Sequence, residues 1–198
     1  MDDRIRGFLS VVFFSTTTGP LLSMIVWING PFGVGKSTVA GLLAQRWPRA
    51  TVFDPEHLGY LLRTWQPADA EVADFQDLPV WRRLVRETAA GLLRDFHRPL
   101  IVPMTLLKPA YFDEIVGGLR ADGIDVRHFC LTASRDEMLA RVAGRGDGGE
   151  WFPTKFDEYE PYLFDDRFAT HVSASGRDAA DVFSDILAAL PATLPSDA

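Results

Sequence analysis

The stretch "GPFGVGKS", Gly30 to Ser37, constrains this chain more than any other part of it. It fits G-x-x-x-x-G-K-[ST] at every fixed position, directly after the apolar run Ile25 to Ile28 and directly before an amphipathic segment. In that setting the glycines let backbone N–H groups turn inward around a phosphate. The helix that follows aims its positive end at the same anion. Lys36 is placed to reach the β and γ phosphates, and the Ser37 hydroxyl to hold Mg²⁺. A turn that merely joined a strand to a helix would not require Lys followed by Ser. The expected nucleotide-binding residues are therefore Gly30, Phe32, Gly33, Val34, Gly35, Lys36, Ser37 and Thr38, with Ser37 as the metal ligand and a nucleoside triphosphate as the cofactor.

From Met24 onward, short apolar runs alternate with helical patterns, the signature of a parallel sheet flanked by helices. The expected fold class is α/β, a P-loop three-layer sandwich with five parallel strands and a kinase-like lid. The strands fall at Ile25 to Ile28, Thr51 to Phe53, Leu100 to Met104, Val126 to Leu131 and Thr170 to Ser173. Helices are expected over Ser37 to Trp47, Glu56 to Arg63, Val80 to Phe96, Tyr111 to Arg120 and Arg135 to Val142. A closing helix, Asp178 to Leu190, gathers Val182, Phe183, Ile186, Leu187 and Leu190 on one face. It can pack on the sheet or lie on a membrane, and its acidic polar face favours the sheet. One domain is expected over 24–190, with a lid over about 144–154 and a tail over 191–198.

Residues 1–23 read differently, with an apolar patch from Phe8 to Phe14 behind two arginines. A disordered or loosely docked extension is one reading, and an interfacial membrane contact is the other. No apolar run reaches the length of a membrane span. A net charge of -7 gives no overall basic character to attract phosphate backbones, which argues against nucleic acid as the partner. The one cysteine, Cys130, cannot form an internal disulfide and has no metal-ligand neighbours, as suits a cytoplasmic protein.

The class of nucleotide user follows by comparison of motifs. A GTPase would show D-x-x-G and N-K-x-D, and neither occurs. A motor or helicase usually ends a later strand in an acidic pair, whereas "LIVPMT" ends without a carboxylate. Small kinases remain. In these the second strand often ends in an acid facing the γ-phosphate, and Asp54 of "TVFDPEHLGYLLR" stands there, as a base for the acceptor hydroxyl or a Mg²⁺ anchor through water. Asp-Pro-Glu also reads as a helix cap, and the two roles can coexist. Arg141 and Arg145 lie one helical turn apart before a glycine-rich run, as lid arginines that close over the phosphates or as a solvated pair. The insertion from Gly59 to Phe96 brings aromatic rings and arginines, suited to a ring-bearing, partly anionic acceptor. The expected acceptor residues are Tyr60, Arg63, Gln76, Trp81, Arg82 and, after the third strand, Thr105; Trp81 reads equally well as helix core.

Taken together, "WINGPFGVGKS", "FDPEHLGYLLR", "DFQDLPVWR", "LIVPMT", "PAYFDEI" and "HFCLTAS" closely resemble the TmrB-type tunicamycin-resistance proteins, from Met24 to about Arg145. The resemblance implies a P-loop kinase-like fold, ATP binding, and resistance to tunicamycin, a nucleoside antibiotic with sugars and a fatty acyl chain. It also implies peripheral membrane association. By position the family's phosphate loop falls on Gly30 to Ser37 and its acid on Asp54. The family pattern carries a basic amphipathic C-terminal extension, where this chain reads "PSDA", and the family start corresponds to Met24. Three functions stay open at this point. They are phosphoryl transfer from Mg-ATP to a hydroxyl of the antibiotic, ATP-dependent sequestration of the antibiotic at the membrane, and a kinase for a nucleoside or other small metabolite.

Overall fold

A computed structural model describes residues 24–144 and 151–191. The extension over 1–23, Arg145, most of the expected lid and the tail beyond residue 191 lie outside the described residues. Five parallel strands form one sheet, β1 (Met24–Asn29), β2 (Thr51–Val52), β3 (Leu100–Pro103), β4 (Asp125–Thr132) and β5 (His171–Ser173), in the order β2-β3-β1-β4-β5. Ile25 pairs with Leu100 on one side and Val126 on the other, so β1 runs down the middle. All of its residues are buried, because helices cover both faces of the sheet. Phe53 extends β2 by one further ladder bond, its N–H donating to the Ile101 carbonyl at 2.9 Å.

Alternation along β1 divides the core in two. Ile25 and Trp27 face one layer, built by α3 (Pro79–Phe96), α4 (Pro109–Phe112) and α5 (Gly118–Ala121) through Trp81, Val85, Phe112 and Leu119. Met24, Val26 and Ile28 face the other, built by α1 (Lys36–Arg46), α6 (Arg135–Ala143) and α8 (Ala179–Ala189) through Leu43, Met138 and Ile186. α2 (Glu56–Arg63) follows β2, and α7 (Trp151–Tyr159) follows α6.

Two expectations change in detail. The helix expected over Tyr111 to Arg120 is interrupted by a π turn, Asp113–Gly117, between α4 and α5. Part of the segment read as a mobile lid is the helix α7, whose Pro153 falls in the first turn, where a missing N–H costs no intrahelical bond. Of the two readings of the closing helix, packing on the sheet is the one observed, since Val182 and Ile186 are buried in the same cluster as Met24 and Leu43. Ile186→Ala is accordingly expected to lower the unfolding free energy by about 2–5 kcal/mol. A urea unfolding midpoint unchanged from the parent would mean that this helix does not contribute to the core.

Candidate functional site

The strand order reverses direction at β1, with β3 on one side and β4 on the other, and this opens a crevice at the carboxyl end of the sheet. The loop from Gly30 to Lys36 fills it. Gly30, Gly33 and Gly35 have φ of 128°, 82° and 111°, a region that L side chains rarely enter. Gly30 is also crowded, since an added Cβ would lie 2.4 Å from the Leu131 carbonyl oxygen. α1 starts directly after Gly35 and has no acidic residue in its first turn, which leaves its positive end aimed at the loop. Lys36 is buried and donates from Nζ to the carbonyls of Gly30 (3.0 Å) and Pro31 (2.9 Å), while Ser37 and Thr38 are exposed.

The loop is fixed from below by Asn29. Its Oδ1 accepts from the N–H groups of Gly30 (2.8 Å) and Leu106 (2.7 Å), and its Nδ2 donates to the Leu106 carbonyl (2.8 Å) and to His128 Nε2 (3.1 Å). With Nε2 accepting, the imidazole proton sits on Nδ1, toward the Ala169 carbonyl at 3.4 Å. Burial pushes the His128 pKa down from its usual 6.5 to about 3, against the pull of that carbonyl. Thr105 ties the same loop from above, its hydroxyl donating to the Gly30 carbonyl at 2.9 Å.

Three clefts meet at this loop. The phosphate cleft, ≈ 110 Å³, is lined by Gly33, Gly35, Lys36, Ser37, Asp54 and Glu56 among others. On one side it shares Gly33, Gly35 and Thr38 with a cleft of ≈ 250 Å³ that runs to Arg141, Ala174, Arg177, Asp178 and Val182. On the other it shares Phe32 and Glu56 with a cleft of ≈ 380 Å³ lined by Tyr60, Arg63, Phe75, Gln76, Thr105 and Tyr159. Of the residues expected to meet an acceptor, Tyr60, Arg63, Gln76 and Thr105 line this second cleft.

Trp81 and Arg82 do not line it. Trp81 is fully buried in the core behind Phe75, with ring centroids 5.3 Å apart, and its indole N–H donates to the Pro55 carbonyl at 3.1 Å. It thereby anchors the backbone between the two acids. Arg82 is buried too, held by Glu114 at 2.6 Å and stacked on the Tyr111 ring at 4.1 Å, and it donates to the Gln76 carbonyl at 2.6 Å. Arg141 likewise turns its guanidinium to backbone carbonyls, Val34 (3.2 Å) and Ala174 (2.8 Å), on the wall of the ≈ 250 Å³ cleft. It joins the phosphate loop to the segment after β5 and does not line the phosphate cleft. Asp54 does line that cleft, and its Oδ1 also accepts from the Glu56 N–H at 2.9 Å, at the entry to α2.

Sequence reasoning missed Glu56, which lies on the wall common to both clefts and accepts from the Tyr60 hydroxyl at 3.0 Å. Its position two residues after Asp54, in the first turn of α2, was the available signal. It also missed Asp74, ahead of the 3₁₀ turn Phe75–Asp77, and Tyr159 at the end of α7, both on the wall of the ≈ 380 Å³ cleft. Lys155 pairs with Asp74 at 3.1 Å, and Lys108 joins Asp77 (2.8 Å) to Glu158 (3.0 Å). Burial first, then the charge of Asp74, raise the Tyr159 phenol above its usual range, keeping it a neutral donor. The segment after β5 was missed because nothing in its sequence marks it. There the capping box of α6 reaches across, Glu137 accepting from Gly176 N–H at 2.7 Å.

A family model described as an AAA domain, AAA_33, matches residues 25–157. Among solved structures, the tunicamycin resistance protein of Deinococcus radiodurans is 34% identical, covering 88% of this chain and 99% of its own, with a TM-score of 0.73. The chain belongs to the tunicamycin-resistance protein family. Other structures of the same fold share less of its sequence. A sugar kinase from Janibacter sp. HTCC2649 is 17% identical over 84% of this chain and 93% of its own, with a TM-score of 0.62. The APS kinase of Mycobacterium tuberculosis, solved with AMPPNP and APS, is 19% identical over 84% and 96%, with a TM-score of 0.57. No curated protein matches significantly. The fold is thus the five-stranded P-loop kinase-like one that the sequence led us to expect. Among the described residues, no helix is long and apolar enough to cross a membrane.

Among the described residues no group of three or more His, Cys, Asp or Glu side chains could enclose a metal. The Ser37 hydroxyl and Asp54, which line the same cleft, suit Mg²⁺ nonetheless, because that ion keeps several waters and takes much of its coordination from substrate phosphates.

The buried His128 makes a prediction about pH. Between pH 6.5 and about 3 the unfolded chain binds a proton that the folded chain refuses, so stability rises with pH across that window. Acidifying from pH 6.5 to about pH 5 is expected to cost up to about 2 kcal/mol. His128→Gln should remove this slope, measured as urea midpoints against pH. A slope unchanged in the variant would place the titrating group elsewhere.

Proposed function

We propose that this chain is an ATP-dependent phosphotransferase that transfers the γ-phosphoryl group to a hydroxyl of tunicamycin. The observation that carries this reading is the continuity of the three clefts, with the phosphate cleft sharing walls with both neighbours. The nucleotide's base and ribose extend toward Ala174 and Asp178, its phosphates lie along Gly33 to Ser37, and the acceptor enters beside Glu56. The antibiotic as acceptor is supported by the 34% identical relative, which is named for tunicamycin resistance.

In this reading the acceptor oxygen attacks the γ-phosphorus, an O–P bond forms, and the bond to the β-phosphate oxygen breaks to release ADP. Glu56, on the common wall, takes the hydroxyl proton. Asp54 lines the phosphate cleft and not the acceptor cleft, and with the Ser37 hydroxyl it would hold Mg²⁺, which would neutralise charge on the β and γ phosphates. Lys36 and the N–H groups of the loop stabilise the charge that spreads over the transferred group. Thr105 keeps the loop in register through Gly30.

A second reading is ATP-dependent sequestration without transfer. It is favoured by one feature, β3 running through Pro103 into Met104 and Thr105 with no carboxylate to serve as a second Mg²⁺ anchor.

Mass spectrometry of tunicamycin incubated with the purified chain and Mg-ATP separates the two. The expected product carries one added phosphate, and Lys36→Ala yields none. Glu56→Gln is expected to slow transfer by about 10²–10⁴-fold at unchanged ATP affinity, and Asp54→Asn to raise the Mg²⁺ requirement. Tunicamycin that binds more tightly with ATP yet returns unmodified would establish sequestration instead. Phosphate added rapidly to common nucleosides and not to tunicamycin would make this a metabolite kinase.

A further inference from the structure

The ≈ 380 Å³ cleft takes its walls from parts of the chain that are far apart in sequence. One wall is Ala73 to Gln76, which enters the 3₁₀ turn Phe75–Asp77, and another is Tyr159, the last residue of α7. A row of alternating charges joins the two. Asp74 pairs with Lys155 at 3.1 Å, Lys155 with Glu158 at 2.8 Å, Glu158 with Lys108 at 3.0 Å, and Lys108 with Asp77 at 2.8 Å. The Tyr111 hydroxyl also donates to Asp77 at 2.8 Å. Lys108 alone in this row belongs to neither wall, since it stands between β3 and α4.

The residues just before Lys108 are tied to the phosphate loop. Thr105 donates to the Gly30 carbonyl at 2.9 Å, and both backbone groups of Leu106 bond the Asn29 side chain, at 2.7 and 2.8 Å. Leu106 and Leu107 are fully buried, which leaves this segment little freedom. From Thr105 to Lys108 the chain spans at most roughly 11 Å between Cα atoms. One short segment therefore holds the start of the phosphate loop at one end and both cleft walls at the other.

Burial works against the Lys108 charge, but the hydrogen bonds to Asp77 and Glu158 outweigh it and raise its pKa, so the cation persists at neutral pH. Partly exposed ion pairs contribute little stability one at a time. A cation shared by two carboxylates on separate elements does more, because it fixes their separation. Both carboxylates lie within 3.0 Å of the same Nζ, and without it they would repel and part the walls. We propose that Lys108 is a positioning residue of this cleft, holding the turn and α7 together and setting both at a fixed place relative to the phosphate loop. The inference rests on the reading of this cleft as the acceptor site, where a small misplacement of the attacking oxygen costs rate steeply.

Amide hydrogen exchange of the full chain, read by mass spectrometry, tests this without any acceptor. In Lys108→Met the amides of 75–78 and of 154–159 are expected to exchange together, at least about fivefold faster than in the parent, while β1, β3 and β4 stay as protected as before. Lys108→Arg, which keeps the cation, should restore both segments. Raising KCl on the unaltered chain from about 0.05 to about 0.5 M should loosen the same two segments and no strand, because salt screens partly exposed pairs. Loosening of one segment alone, of the strands as well, or of neither overturns the inference. Calorimetric titration with tunicamycin, the nucleotide site filled with a non-hydrolysable ATP analogue, is expected to show an affinity at least about fivefold weaker in Lys108→Met, with affinity for the analogue unchanged. Tunicamycin phosphorylated equally fast by the parent and by Lys108→Met removes this inference and leaves the kinase reading. Walls that loosen together in a chain that transfers nothing to tunicamycin do the reverse.

Discussion

The side chain of Asn29 is the interaction on which the rest of the site depends. It stands at the buried carboxyl end of the central strand, where the chain must leave the sheet and form a loop of inward-facing N–H groups. Both lone pairs and both amide hydrogens are used, on Gly30, on the two backbone groups of Leu106, and on His128. A single amide therefore holds the start of the phosphate loop, the chain leaving β3, and the middle of β4 in one arrangement. In a low-dielectric interior, each of these groups would be costly to leave unpaired. Burial keeps His128 neutral, and the neutral ring can accept from Asn29 where a protonated imidazole could not.

Around that anchor the molecule builds its clefts from pieces that are distant in sequence. Trp81, buried in the first turn of α3, holds the Pro55 carbonyl and so fixes the backbone between Asp54 and Glu56. Arg141 and Glu137 of α6 bind the segment after β5 and draw it up to the phosphate loop. Lys155 of α7 secures the wall that carries Gln76. Arginines and tryptophans that look like ligand-contacting residues in the sequence act here through backbone carbonyls. Trp81 and Arg82 set the shape of the clefts without lining them, whereas Arg141 and Arg63 also stand on cleft walls.

Much of the fold was legible because its signals are local. Each strand expected from an apolar run is present in the sheet, and Glu56 to Arg63 forms a helix with the expected bounds. The π turn after α4 and the helix α7 were not legible, since neither departs in composition from an ordinary helix or loop. Arg82 illustrates the same limit at the site. Its position in the insertion suggested an acceptor contact, but whether a guanidinium meets a ligand or Glu114 depends on a π turn 32 residues away in the chain.

The sequence by itself determined the phosphate loop and the kind of sheet that carries it. Glycines in the left-handed region, a lysine and a serine in fixed succession, and the start of a helix specify an anion site through backbone geometry alone. The tertiary structure decided what the loop is joined to. The ≈ 250 Å³ cleft needs α6 and the segment after β5, and the ≈ 380 Å³ cleft needs Phe32, α2, the 3₁₀ turn, the end of β3 and α7. Contiguous residues fix a backbone conformation, whereas a cleft is fixed by which side chains of remote elements come to face one another across the sheet's edge, and no local pattern records that.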